Sequence, residues 1–405
     1  MLREALQGLT VLDFTQIAAG PTCTMLLADM GARVIKIEPP EGELGRSLGP
    51  AWVGEDSALY HGFNRGKLGV CLDLKHPDSQ AIVRRMVAEA DVLIESMRPG
   101  VMTRLGLGYE TLAELNPALV YCSISAYGQQ GPYADRAGVD GILQADSGLM
   151  SLIGLPGSPP CKVQAPVVDV VTGYLACMSI LAKLQARRRD GQGGHLDVSL
   201  MNSALALQQS SITSYLRDGQ RPTPIGSAAP YAAPNEAFRT ADGWIMVAAY
   251  NGNRWQRLCA VLGHAEWADD PRFVSSAQRV RHRGEMQAAL EAVFATRPTA
   301  HWLQVLRGAD ILCAKVANYD DLLEHPQLAD NGLLARVEHP RHGVLRTVGF
   351  PVNSAEAAAA PYRPAPDLGE HSRSVLRSFA FGEQEIEALA GSGALRERQA
   401  AAATS

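Results

Sequence analysis

Residues 9–38 read LTVLDFTQIAAGPTCTMLLADMGARVIKIE, and the order of their patterns decides the fold class. LTVLDF (9–14) is a short apolar run closed by the turn-like TQIAAGP. PTCTMLLADMG (21–31) has helical character, with Pro21 at its start and Gly31 at its end, and ARVIKIE (32–38) is a second strand. Strand, helix and strand in this order form a parallel unit. The alternation continues outward through LGVCLDL (68–74), the helix DSQAIVRRMVAEA (78–90), DVLIES (91–96), the helix YETLAELN (109–116) and LVYCSIS (119–125). The fold class this predicts is α/β, with a doubly wound parallel sheet. The phosphate fingerprint GxGxxG is missing, which removes the main support for a nicotinamide dehydrogenase.

A long helix is expected from about Val167 to Arg188, ending in the basic, glycine-rich ARRRDGQGGH. Composition shifts near residue 218, where DGQRPTPIGSAAPYAAPNEAF (218–238) reads as an irregular linker. FRTADGWIMVAA (238–249) then reads as a hairpin turning through Ala241, Asp242 and Gly243, followed by three helical segments. The expected organisation is a large first part at 1–217, a linker and small α+β domain at 218–335, and a return segment at 336–405 that completes the large domain. An alanine-rich tail is expected to fray.

The chain has 405 residues, 46% hydrophobic and 20% charged, with a net charge of −5. That balance argues against nucleic-acid or membrane-surface partners. No apolar run reaches the ~18 uncharged residues of a membrane span. MLREALQGL has no apolar core, so it is not read as a secretory signal. Seven scattered cysteines without a CxxC suit reduced thiols and a cytoplasmic location.

Among the ten histidines there is no HExxH; His325, His339 and His371 sit near Pro or Gly in loops, so no metal site is expected. Arg65 and Lys67 precede a strand and Lys75 follows it, while Arg98 and Arg104 flank PGVMT after DVLIES. Ligands of open α/β sheets bind outside the carboxyl ends of strands, so Lys75, Arg98 and Arg104 fall near one rim suited to a phosphate-bearing anion. A solvated face with unrelated charges accounts for them equally well. Asp169, in APVVDVVTGYLACMSILAKL (165–184), is a carboxylate among valines. Such a group either caps a helix that begins near Pro166 or performs chemistry.

In six anchors the chain resembles the family III CoA-transferases, the group that includes formyl-CoA transferase, carnitine CoA-transferases and the succinate–hydroxymethylglutarate CoA-transferase. They are residues 6–42, FNRGKLGVCLDLK (63–75), 94–117, YCSISAYGQQGPYADRAG (121–138), the Asp169 segment and APDLGEHSRSVL (365–376). The resemblance implies a Rossmann-like large domain built from both chain ends, a smaller domain, and an interlocked homodimer. It places the nucleophile on Asp169 and CoA contacts at Gln16, Ile17 and Ala18, at Leu72 to Lys75, at Ser96, Met97 and Arg98, and at Arg104. Arg136, in a loop before the Asp169 segment, is a candidate for a substrate's distal carboxylate, and a plain surface residue accounts for it at least as well; Tyr127 and Gln144 are uncommitted.

The implied activity moves CoA between short carboxylic acids, dicarboxylates with succinyl-CoA as donor. Acyl-CoA and the acids are substrates, and no permanent cofactor is expected. The carboxylate would attack the thioester to give a mixed anhydride, then an aspartyl-CoA thioester. Asp169 must stay ionised, and a first-turn position, with helix amides turned toward it, is expected to keep it so. Departures bear on the substrate. Ala18 stands where formyl-CoA transferase has Gln, its tetraglycine loop has no counterpart, and Pro39 and Pro40 replace a frequent Arg. The related α-methylacyl-CoA racemases use a His in a Gly-His-Asp segment; here Val139 takes its place between Gly138 and Asp140, and valine carries no proton. A silent CoA-binding homologue is the other alternative.

Overall fold

The computed structural model describes residues 2–352 and 361–398, which resolve into two compact units. The larger is built from 1–150, 162–220 and 329–405, the smaller from 151–161 and 221–328. The excursion at 151–161 has no counterpart in the boundaries read from sequence. The tail expected to fray, 399–405, lies outside the described residues.

The strands in chain order are β1 (Thr10–Phe14), β2 (Arg33–Glu38), β3 (Trp52–Val53), β4 (Asp56–Ser57), β5 (Leu68–Leu72), β6 (Val92–Glu95), β7 (Val120–Ser125) and β8 (Gly194–Ser199). They continue as β9 (Asn235–Arg239), β10 (Trp244–Ala248), β11 (Leu312–Lys315), β12 (Leu334–His339), β13 (Gly343–Val348) and β14 (Leu395–Arg396). The larger unit carries a seven-stranded sheet in the order β14-β5-β2-β1-β6-β7-β8, parallel except for the antiparallel edge pair β14 and β5. Its central strands are buried on both faces, which is why they read as apolar runs rather than alternations.

One face packs Val11, Val34, Ile94 and Cys122 against the helix Ala19–Asp29 and the long helix Val167–Asp190. The other packs Leu12, Ile35, Leu93 and Tyr121 against the helices Pro77–Val87, Tyr109–Leu115, Ser372–Ser378 and Glu383–Gly391. The long helix is apolar enough, by length and composition alone, to cross a membrane, and 39% of its most apolar stretch is buried. Its buried stripe, Val168, Thr172, Ala176, Ile180 and Leu184, is built into the core.

The smaller unit has a three-stranded antiparallel sheet, β11-β10-β9, over helices that contribute Trp255, Leu258, Phe294 and Trp302. β9 and β10 form a hairpin, with Arg239 opposite Trp244. β9 begins at Asn235, inside the stretch read as linker. Its side chains alternate between half-buried and buried, a period that Pro and Ala in the preceding residues obscured.

Candidate active site

Strand order reverses between β1 and β6, so the loops that follow them part and open a crevice at the carboxyl rim of the sheet. Gln16 and Ser96 meet across it, the Gln16 amide donating to Ser96 Oγ at 3.2 Å. Ile17 sits at φ +69, a region that costs a β-branched residue roughly 1–3 kcal/mol. Glu43 holds it there: Oε2 accepts the Ile17 amide at 2.7 Å. Ala18 is buried and immediately precedes the helix Ala19–Asp29.

Beneath this loop lies a set of buried charges. Lys36 Nζ donates to the Thr15 carbonyl at 2.9 Å and lies 3.4 Å from Glu43. Asp13 accepts from the hydroxyls of Thr15 (2.6 Å) and Thr24 (2.7 Å) and from Lys67 Nζ (3.0 Å). Burial pushes the Asp13 carboxyl up, but Lys67, Lys36 and the two hydroxyls outweigh it and hold it at about 2. Lys67 is therefore a structural partner of Asp13. Arg65 likewise pairs with Asp29 in the interior. The sequence suggests both as ligand contacts; the fold instead turns them inward, onto the buried carboxylates of Asp13 and Asp29.

The remaining CoA candidates follow the strand ends. Leu72 closes β5 and is buried, while Lys75 is exposed, its amide donating to Asp73 Oδ1 at 3.0 Å. Ser96 and Met97 are half-buried after β6, with the Met97 amide donating to Glu95 Oε2 at 2.8 Å. Arg98 and Arg104 are exposed on either side of the turn at Gly100. β5 and β6 are separated by three strand spacings, about 14 Å, so Lys75 shares the rim with the arginines without adjoining them. Arg136 is exposed and lies 3.5 Å over the Tyr133 ring. Tyr133 meets Tyr127 edge-on, and the Tyr127 hydroxyl donates to Asp146 at 2.9 Å.

Asp169 occupies the first turn of the long helix. Gly173, one turn later, lies so close to the helix Ala19–Asp29 that a methyl group there would stand 2.5 Å from the Ala19 carbonyl and 2.6 Å from Thr22 Cβ. Another turn on, Cys177 meets Cys23. The two helices therefore run in parallel register. Asp169 is on the same face as Gly173, so one turn back it is brought level with the loop at Gln16 to Ala18.

The first-turn amides do not serve the Asp169 carboxylate. Asp140 Oδ2 accepts the amides of Val168 at 2.8 Å and of Asp169 at 3.3 Å. Asp140 is itself gripped by Gln144, whose Nε2 donates to Oδ1 at 2.6 Å. Gln144 is fully buried and fixed by Val163, accepting its amide (2.9 Å) and donating to its carbonyl (3.1 Å). No described residue hydrogen-bonds the Asp169 carboxylate. Burial first, and the Asp140 charge second, push it up to about 7. The expectation that helix amides keep it ionised is corrected here: another carboxylate takes those amides and adds its own repulsion. Asp140 was passed over in the sequence because a short polar segment such as VDGILQAD looks like surface.

A second polar cavity, of about 310 Å³, opens on the opposite face of the sheet beside Arg98. Ser123 bridges its two titratable walls, hydrogen-bonded to Glu95 and 2.9 Å from His195 Nε2. Burial pushes Glu95 up to about 7. Neither group carried a sequence signal, because each sits in a strand whose pattern reads as packing.

Comparison with known proteins gives one consistent finding. The model of CoA-transferase family III matches residues 6–372. An acetyl-CoA:oxalate CoA-transferase of Acetobacter aceti is 38% identical over 93% of this chain and 96% of its own. A succinate–glutarate CoA-transferase of Agrobacterium fabrum is 37% identical, covering 92% and 95%. The crystal structure of a CAIB/BAIF family protein from Brucella suis superposes with a TM-score of 0.82 at 33% identity, covering 92% and 98%.

Proposed function

The chain belongs to CoA-transferase family III, and from that premise we propose that it exchanges CoA between short dicarboxylic acids, with succinyl-CoA as donor and an acid of glutarate size as acceptor. The observation that carries the reading is Asp169. It is a half-buried carboxylate with no hydrogen bond from any described residue, level with the loop at the sheet's switch point. Relatives named for oxalate and glutarate favour a dicarboxylate.

In the proposed mechanism the ionised Asp169 attacks the thioester carbonyl and forms a mixed anhydride, releasing the CoA thiolate. The thiolate attacks the aspartyl carbonyl, frees the first acid and leaves an aspartyl-CoA thioester. The incoming carboxylate attacks that thioester, and a second anhydride returns the acyl group to CoA. Asp169 is half-buried, and bound acyl-CoA would exclude more water from it and limit hydrolysis of these intermediates. Gln16 to Ala18, Ser96 to Arg98 and Arg104 would hold CoA, with Lys75 toward its far end. Arg136, already stacked on Tyr133, would meet a distal carboxylate. Val139, 57% exposed, offers no second proton carrier and speaks against racemisation.

The active form we propose is a homodimer. The long helix leaves Tyr174 and Met178 41% and 64% exposed. Val170 and Tyr174 also line an apolar cavity of about 340 Å³ with Met25, Leu59 and Phe63. Apolar surface of this kind suits a second copy. The described cysteines are free thiols, in keeping with a reducing cytoplasm.

The test is a mass-spectrometric exchange assay with succinyl-CoA and a panel of mono- and dicarboxylates, run beside Asp169→Ala. New acyl-CoA species that vanish in the variant support the reading. Exchange that survives in Asp169→Ala, or deuterium uptake at an α-carbon with no exchange, refutes it.

A further inference from the structure

Four side chains remote in sequence converge in the larger unit: His61 of the helix Ala58–Asn64, His339 at the end of β12, His342 in the turn before β13, and Asp367. One nitrogen each from His339 and His342 and an oxygen of Asp367 lie within 4.8 Å of one another. The ring centres of His339 and His342 are 4.6 Å apart, those of His61 and His339 5.5 Å, and those of His61 and His342 6.4 Å. Two imidazoles on one tetrahedral zinc, with bonds of about 2.1 Å, place their ring centres roughly 5 Å apart.

His61 supplies the independent observation. It is 9% exposed, yet neither ring nitrogen has a hydrogen-bond partner among the described residues. A buried imidazole with both nitrogens unsatisfied costs free energy at each of them. We propose that His61, His339, His342 and Asp367 bind a zinc ion. Three imidazoles and one carboxylate suit zinc rather than the hard cations, which take oxygen ligands.

The surroundings fit the ligand chemistry. Burial, with the neighbouring His339, Arg46 and His342 outweighing Asp56, lowers His61 to about 4. Burial, His342 and Arg341 lower His339, opposed by Asp367 and Glu370. Asp367 is oriented by Arg341 and, at 3.1 Å, by Arg398. Those pairs take one lone pair on each oxygen and leave the second free, an arrangement typical of the partners that orient metal-bound carboxylates. His339 gives something up: its Nδ1 accepts the Arg341 amide at 3.2 Å, and a metal on that nitrogen replaces this long hydrogen bond. Gly54, at φ +63 in the β3–β4 turn, lets the hairpin close over His342; a methyl there would stand 2.3 Å from Cε1. The ion would staple the β12–β13 hairpin to the helix Ala58–Asn64. None of its ligands belongs to the CoA loops or the Asp169 cluster, so the proposal stands whatever acids the enzyme exchanges.

The test uses the full chain without a histidine tag. Metal analysis after gel filtration is expected to return about one zinc per chain. Cobalt added after chelation should give the visible absorption of a tetrahedral site. His61→Ala and His342→Ala should each weaken cobalt binding by roughly tenfold or more. Circular dichroism and sizing confirm that the variants fold, with His61→Gln standing in if His61→Ala does not. Zinc in the parent should raise its unfolding temperature and leave that of His342→Ala unchanged. Zinc far below one equivalent with no cobalt band overturns the proposal. So does cobalt binding that both variants retain.

Discussion

Asp140→Asn removes one charge from beside the nucleophile while keeping an oxygen for the amides of Val168 and Asp169. Burial is the larger cause of the Asp169 elevation and Asp140 the smaller, so of the rise from 3.8 to about 7 the substitution reverses less than half. That amounts to roughly one pH unit, or about 1.4 kcal/mol. A Coulomb estimate has the same sign and bounds it from above: two unit charges about 4 Å apart repel by about 4 kcal/mol at an effective dielectric of ~20. The sign follows from the chemistry, since only ionised Asp169 attacks. The acid limb of kcat/KM should fall near pH 7 in the parent and about one pH unit lower in the variant, leaving the variant about fivefold more of its plateau rate at pH 6. The assay is kcat/KM for succinyl-CoA from acid to alkaline pH, each profile scaled to its own plateau. Asp140→Ala is the contrast, because it also strips the helix of an acceptor worth about 1 kcal/mol. An acid limb that stays in place or moves to higher pH in Asp140→Asn would refute the reasoning.

Gly173→Ala places a methyl 2.5 Å from the Ala19 carbonyl. It should cost about 1–3 kcal/mol in denaturant unfolding and lower kcat by shifting Asp169 from its loop; unchanged stability and rate would contradict the close packing. Asp13→Asn leaves Lys67 and Lys36 buried without their shared carboxylate and should cost about 3–5 kcal/mol. The Asp13 carboxyl is depressed from 3.8 to about 2, so the parent keeps this stabilisation in full above pH ~4 and loses it as pH falls toward ~2. Urea unfolding across that window should show the loss in the parent and not in the variant.

Much of this architecture was legible because the strands of a parallel sheet and the faces of its helices have clear periods. Asp169 was legible for the opposite reason, as a misfit among valines. Three kinds of feature were hidden. β8, GHLDVS, is an edge strand with only Ser199 fully buried, and the glycines before it read as a helix end. Asp140 and Gln144 meet each other at i,i+4, but their other partners, the amides of Val168 and Asp169 and the backbone of Val163, are brought to them only by folding, so the sequence does not announce the relay. The histidine cluster joins residues 61 and 367, a separation no motif spans. Arg65 and Lys67 show the converse: a basic pair before a strand looks like a ligand rim until the fold supplies Asp29 and Asp13.

The strained backbone at Ile17 bears on timing. A transferase must keep hold of CoA while one acid leaves and another arrives. Glu43 and Lys36 fix the loop from beneath, through bonds that no substrate makes or breaks. Under the proposed function, the loop's grip on CoA would therefore be indifferent to what occupies the acyl end. A loop ordered by the acid itself would slacken at each exchange and let the thiolate drift; one moulded in advance pays no ordering entropy on each turnover. In the proposed mechanism the interior salt bridges would thus act as a retention device, letting the two half-reactions share a single residence of CoA.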